Sequence, residues 1–306
     1  MPDDLRRLRV SLAAGIEIAV LDFGGVGPPA LLHHATGFCA ALWAPVAEAM
    51  RRRFRVFAMD ARGHGDSSQP ARAEGYAWSH FGSDARCVAQ RIAHEHGPLA
   101  LGLGHSLGGT ALMLAAIEQP GLFERLVLVD PIVMPSDPEV RARLSRGNSL
   151  ADAARRRREV WDSRSQARER WAGKQVFAEW DPRVLDLYVA EGLRDRADGC
   201  VELKCPAEVE ATIFEASVGL DALELAQRLE TPTCILWARR GNFPLEHFEE
   251  LAARVQRGRV RELDTGHLAP MEAPDLVAAE ALAFSAASET RDASSRSSLR
   301  ATRRRS

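Results

Sequence analysis

The sequence predicts an α/β fold: a mostly parallel sheet with helices on both faces, interrupted once by a long helical insertion. Three observations predict it. Short β-rich runs alternate with helical patterns through the first part of the chain, the rhythm of parallel strands joined by crossover helices. Two of these runs, LALGLG and LVLVD, are apolar without alternation, as expected of central strands covered on both sides. The rhythm stops near Met134 and resumes after Leu229. That break divides one sheet, because neither half has enough strands to close a core of its own.

The elements follow in order. IEIAVLD and ALLHH read as strands, followed by a helix near Trp43 to Arg53, the strand RVFAMD and a helix near Phe81 to His96. LALGLG leads into a helix that begins at Leu107, and LVLVD closes the first half. From about Met134 to Leu229 the chain turns helical and arginine-rich, with Trp161, Trp171, Phe177, Trp180 and Tyr188 spaced through it and no clear strand. The alternation then returns as TCILWA, a helix from Leu245, RVREL, and a last helix from Pro274 to Phe284. The expected division is a core of residues 1–131 and 230–285, an insertion of 132–229, and a disordered Ser/Arg-rich tail of 286–306.

Composition narrows the function. At 306 residues, 46% hydrophobic, the chain can bury a substantial core. A formal charge of -2 supplies no field that would attract nucleic acid or an anionic membrane, so neither is an expected partner and a small molecule is. Cys39, Cys87, Cys200, Cys205 and Cys234 form no close metal-ligand pairs. Their odd number argues against a complete disulfide framework, which makes a reducing cytoplasm the simpler home. The first twenty residues read as neither a signal peptide nor a membrane span. No metal or cofactor is expected, and the chain is expected to be a monomer or a homodimer.

The strand LALGLG ends in Gly104-His105-Ser106-Leu107-Gly108-Gly109, and the helical pattern TALMLAAIE follows at once. A serine on a tight turn between strand and helix is lifted clear of the sheet, and only glycines relieve the crowding around it. Its place at a helix N-terminus brings unpaired N–H groups toward any negative charge that develops there. A phosphate-binding loop would carry a lysine after the glycines, where Thr110 and Ala111 stand. Serine is a poor nucleophile unaided and needs a base within hydrogen-bond reach. His267, in the loop between the last strand and the last helix, fits the chain order of this turn type. His94 and His96 belong to a helix end, His247 to a surface helix, and His105 to the packing.

These motifs resemble the α/β-hydrolase fold family over nearly everything outside the insertion and the tail. Besides Gly104 to Gly108, the resemblance includes Asp60-Ala61-Arg62-Gly63-His64-Gly65-Asp66-Ser67, similar to the family's D-x-R-G-x-G-x-S loop. It also includes Gly266-His267 followed by Glu272-Ala273-Pro274. It implies a mostly parallel eight-stranded sheet with an inserted helical cap, and a structural role for Asp60 and Arg62. It further implies an oxyanion segment in His33-His34-Ala35-Thr36-Gly37-Phe38, where counting back from Trp43 gives the N–H of Thr36 as partner to that of Leu107. Ala35 stands where the family has glycine, so Phe38 is the alternative register.

In most relatives the orienting carboxylate follows the strand that here reads TCILWA. This chain has Gly241 at that position, flanked by Arg239, Arg240 and Asn242, with no acid available. Asp130 ends the preceding strand on the same edge of the sheet, and some family members resemble that arrangement, so Asp130 is the expected acid. Glu246 reads as the first-turn acid of a helix, and Asp264 as turning the loop that presents His267.

The resemblance implies a serine hydrolase of the carboxylesterase type, with Ser106 as nucleophile, His267 as base and Asp130 orienting it. Trp161, Trp171 and Trp180 are the expected substrate-binding residues of the cap, with the cap's own packing as their other use. The run Arg155 to Arg158 reads as a solvated face, a carboxylate- or phosphate-bearing substrate being its alternative. The same residues also suit lyases, C–C hydrolases, thioesterases and perhydrolases. A binding protein that kept the fold without the reaction is the reading from a different class.

Overall fold

The N-terminal arginines form a strand that the sequence pattern did not single out. In the computed structural model, which describes residues 5–146 and 148–286, Arg6–Ser11 is β1 and pairs antiparallel with β2 (Glu17–Asp22). It is an edge strand in which exposed Arg7, Arg9 and Ser11 alternate with half-buried Leu8 and Val10 that pack against the core, a short alternation set in a strongly charged run. β3 (Pro29–His33), β4 (Arg55–Met59), β5 (Leu101–His105) and β6 (Leu126–Val129) follow. β7 (Val160–Trp161), β8 (Leu193–Asp195) and β9 (Val201–Leu203) lie in the insertion, and β10 (Thr233–Arg240) and β11 (Gly258–Gly266) complete the set.

The main sheet has eight strands in the order β1-β2-β4-β3-β5-β6-β10-β11. β2 runs antiparallel to both its neighbours, and the pairs from β4 to β11 are all parallel. Successive residues feed opposite cores. Leu31, Leu126, Leu128 and Ile235 pack beneath the helices Trp78–His96, Leu107–Glu118 and Leu245–Arg254. Leu32, Val127 and Leu236 pack toward Ala44–Met50 and Pro274–Ala286 on the other face. Burial on both faces is why these strands are apolar throughout. The helix Leu107–Glu118 is buried at every residue but its last, between the sheet and Trp78–His96, so it too shows no polar stripe.

Between β6 and β10 the chain forms the helices Pro138–Arg146, Ser149–Arg155, Arg164–Ala172, Pro182–Glu191, Ala207–Ala216 and Ala222–Leu225. Asn148, Ser163, Asp181 and Asp221 each accept a backbone N–H from the first turn of the helix they precede. The expectation that this segment carries no strand is corrected by a small antiparallel sheet, β7-β9-β8. Its strands are two or three residues long, too short to display a period of two. Ser285 and Ala286 complete the last helix, the Ser285 hydroxyl donating to the Ala281 carbonyl at 2.8 Å. The rest of the expected disordered tail lies outside the described residues. Among the described residues no helix is long and apolar enough to cross a membrane.

Candidate active site

β5 delivers Ser106 into a turn with φ 54° and ψ −120°, and the helix Leu107–Glu118 begins at the next residue. Three glycines permit that turn. A Cβ on Gly104 would lie 2.5 Å from the Gly108 carbonyl oxygen, and one on Gly108 would lie 2.3 Å from that of His33. At Gly109 the nearest atoms, at 3.1 Å, belong to Gly104 and Pro131. The Ser106 backbone is fixed as well: its N–H donates to Val129 at 3.0 Å, and its carbonyl accepts the N–H of Thr110 at 3.2 Å.

His267 follows β11 and reaches Ser106 across the carboxyl edge of the sheet. Its Nε2 lies 3.0 Å from Ser106 Oγ and its Nδ1 lies 2.6 Å from Asp130 Oδ2. Asp130, at the end of β6, is fully buried, and its other oxygen accepts the Ala238 N–H at 3.3 Å. An anionic acceptor at Nδ1 fixes the proton there and leaves the Nε2 lone pair facing the serine hydroxyl. Among the described residues Ser106 and Asp130, at φ 41°, are the two non-glycine residues with a left-handed backbone. Such strain persists where surrounding structure imposes it, and it concentrates at functional sites.

The gap after β10 has a physical reason. A Cβ on Gly241 would lie 2.5 Å from Asp130 Oδ2, so the residue at the usual acid position must be without a side chain if Asp130 is to fill the space. Glu246 sits in the first turn of the helix Leu245–Arg254. The role expected of Asp264 passes to another residue: Asp264 pairs with Arg240 at 2.7 Å, while Glu272 accepts the Gly266 N–H at 2.6 Å and holds the loop before His267. His105 also holds that loop. It is buried beside the His267 ring, and its Nε2–H donates to the His267 carbonyl at 2.7 Å. Burial keeps its pKa well below the ordinary imidazole range, with the neighbouring His267 adding to the effect.

The segment after β3 is held by two more neutral histidines. His34 donates from Nδ1 to the Ala35 carbonyl at 2.7 Å and accepts the Ala61 N–H at Nε2. His64 accepts the Gly37 N–H at 2.9 Å and donates to the Arg62 carbonyl. Burial lowers His64 to about 4 and, with His64 and His33 adding to the effect, lowers His34 well below the ordinary imidazole range, which preserves the neutral form able to accept an N–H. A peptide unit is planar and trans, so fixing the Ala35 carbonyl also fixes the Thr36 N–H, which points the opposite way. Among the described residues the N–H groups of Thr36 and Leu107 make no hydrogen bond, whereas that of Phe38 donates back to Ala35 at 3.3 Å. That contrast favours Thr36 over Phe38. Asp60 and Arg62 brace the neighbouring loop: Asp60 accepts the N–H groups of Ala40 and Asp66, and Arg62 pairs with buried Asp84 at 2.6 Å.

Thr36, Phe38, Ser106 and His267 line a cleft of ≈ 910 Å³ between the sheet edge and the insertion. Its apolar wall comes from Trp78, Ile132, Met134, Leu150, Val176, Phe214, Val218 and Phe243. The three expected tryptophans do not line it. Trp161 and Trp171 meet edge-on, Trp171 stacks on Tyr188 at 4.7 Å, and Trp180 packs against Phe177, all within one buried cluster. An aromatic set at helical spacing served the core, and the true lining residues carry no pattern that sequence could reveal. The arginine run is corrected too. Arg155 pairs with Glu208 and Glu215 at the surface, but Arg157 turns inward onto Glu210 and the Tyr188 hydroxyl.

Comparison with known proteins agrees with this fold. An uncharacterized protein of Mycobacterium tuberculosis is 34% identical over 121 residues, 40% of this chain and 34% of that protein. The 2-(acetamidomethylene)succinate hydrolase of Mesorhizobium japonicum is 32% identical over 106 residues, 35% of this chain and 36% of the relative. The chain thus spans about a third of the length of the curated relatives it matches. The crystal structure of E-2-(acetamidomethylene)succinate hydrolase superposes with a TM-score of 0.74 at 19% identity, covering 90% of this chain and 97% of that one. The model of the alpha/beta hydrolase family matches residues 30–280. The chain belongs to the alpha/beta hydrolase family.

Proposed function

We propose that this protein is a serine hydrolase that cleaves an ester or related acyl bond of a small molecule through an acyl-enzyme. The observation that carries the reading is the unbroken hydrogen-bonded series from Ser106 through His267 to Asp130 at the floor of an apolar cleft.

In this reading Ser106 Oγ attacks the acyl carbon while His267 Nε2 takes its proton. Asp130 keeps the imidazole in the required tautomer and stabilises the imidazolium that forms. The carbonyl oxygen becomes an oxyanion, and the N–H groups of Thr36 and Leu107 receive it; one such donor is typically worth about a hundredfold or more in rate. His267 then protonates the leaving group, and water repeats the sequence on the acyl-enzyme. The insertion acts as a cap, and its apolar wall takes the acyl or leaving group. With all five cysteines unpaired, a reducing cytoplasm suits the protein.

The test is a series of p-nitrophenyl esters of graded chain length under pre-steady-state conditions. A burst of nitrophenol equal to the enzyme concentration, abolished in Ser106→Ala, is expected; turnover retained by Ser106→Ala would refute the assignment. The likeness to a 2-(acetamidomethylene)succinate hydrolase supports a second reading, an acyl C–N bond as the scissile one. Matched anilides and esters compared on the same enzyme decide between them.

A further inference from the structure

Three insertion side chains that touch neither Ser106 nor His267 converge on the segment that carries the Thr36 N–H. The Tyr188 hydroxyl, on the helix Pro182–Glu191, donates to the Gly37 carbonyl at 3.1 Å. Its oxygen in turn accepts Arg157 Nη2 at 2.8 Å, and Arg157 Nη1 pairs with Glu210 on the helix Ala207–Ala216. Glu210 lines the cleft and is pressed against the same segment: a Cβ on Gly37 would lie 2.5 Å from its Oε1 and 3.3 Å from Arg157 Nη1. Gly37 itself sits at φ +85°, where other residues are strained. Both backbone groups of Gly37 are therefore held from opposite sides, the N–H by His64 of the core and the carbonyl by Tyr188 of the insertion.

We propose that Tyr188, held by Arg157 and Glu210, is a positioning residue for the oxyanion donor, so that the cap sets the aim of the Thr36 N–H. The proposal rests on the hydrolase reading. The physics is that of a short loop whose peptide planes are coupled: releasing the Gly37 carbonyl frees the Gly37–Phe38 plane, whose N–H donates to the Ala35 carbonyl at 3.3 Å, and the Ala35–Thr36 plane that carries the donor loses part of its fixed direction. A misaimed donor weakens transition-state binding while leaving the cleft walls, and so the binding of ground-state substrate, unchanged. The ring of Tyr188 packs against Phe38, Trp171 and Trp180 through its faces and edges, which separates the work of the ring from that of the hydroxyl.

Tyr188→Phe keeps the ring and removes only the hydroxyl. Expected is a fall in kcat of about tenfold or more with KM for a p-nitrophenyl ester within about twofold of wild type. The affinity for a boronic acid that mimics the tetrahedral intermediate should fall by the same factor as kcat/KM. A structural role alone would not produce that parallel. Glu210→Gln, which keeps the shape and removes the charge that holds Arg157, should fall between wild type and Tyr188→Phe in both quantities, and serves alone if Tyr188→Phe does not fold. Wild-type kcat and boronate affinity in the variants would overturn the proposal, as would a rise in KM at unchanged kcat. A wild type that neither shows a burst nor binds the boronate overturns the hydrolase reading and this proposal with it; an active wild type matched by its variants overturns this proposal alone.

Discussion

At the residue scale, a carboxylate at the end of β6 and a glycine after β10 share one space. Asp130 occupies the space that a side chain at Gly241 would need, so each identity requires the other. Asp130→Asn should keep the shape and lose the anionic acceptor, lowering kcat for ester turnover by about 10⁴-fold, while Glu246→Gln leaves it unchanged. Steady-state kinetics on the three proteins checks this; the reverse pattern would remove Asp130 from the mechanism. Gly241→Ala should push the Asp130 carboxylate off His267 and cost about tenfold or more in kcat without unfolding the protein, a comparison best made alongside a melting curve. Ser106 and His267 were legible because each sits at a strand end beside a turn with its own sequence signature, whereas Asp130 was expected only because the usual acid position is empty and some family members resemble that arrangement. Gly241 was visible only as a missing acid, and its packing against Asp130 depends on a contact between residues more than a hundred positions apart.

At the scale of elements, helix and strand boundaries were legible where periodicity had length to act. The central strands announced themselves by unbroken apolar runs and the crossover helices of the core by helical patterns, whereas the helix starts in the insertion, capped by Asn148, Ser163, Asp181 and Asp221, emerged only with the structure. β1 was hidden because its alternation rests on two apolar residues, Leu8 and Val10, among arginines, and β7, β8 and β9 because two or three residues carry no period. The tryptophans failed for a different reason: spacing places side chains on one face of a helix without saying what that face meets. Trp171, stacked on Tyr188 and Phe177 inside the insertion, should therefore cost about 3–5 kcal/mol of stability on mutation to alanine, measured by urea unfolding. Phe214→Ala, on the cleft wall, should instead raise KM for longer acyl chains with a small change in stability. An unchanged unfolding midpoint for Trp171→Ala would contradict the packing described above.

Across the whole molecule, neutral buried histidines make stability depend on pH. Burial lowers His33 and His64 to about 4 and lowers His34 and His105 well below the ordinary imidazole range, whereas an unfolded histidine titrates near the ordinary value of about 6.5. The unfolded chain therefore binds more protons than the folded one below that value. Stability is full above about pH 6.5 and declines as pH falls toward 4, by on the order of 1 kcal/mol per pH unit for each histidine within its window. Asp60, raised to about 6 by burial, and Asp84, also raised by burial, act in the opposite direction, against these four histidines and His247, which burial lowers as well. Urea midpoints that fall between pH 7.5 and 5 are expected; a flat or rising profile would show that these rings are not held neutral. The most direct measurement of the central claim is intact-mass and peptide-level analysis after treatment with a fluorophosphonate. One phosphonyl adduct per chain is expected, located on Ser106, lost in Ser106→Ala and much slower to form in Asp130→Asn. A folded wild-type protein that stays unmodified, or an adduct on another residue, would contradict it.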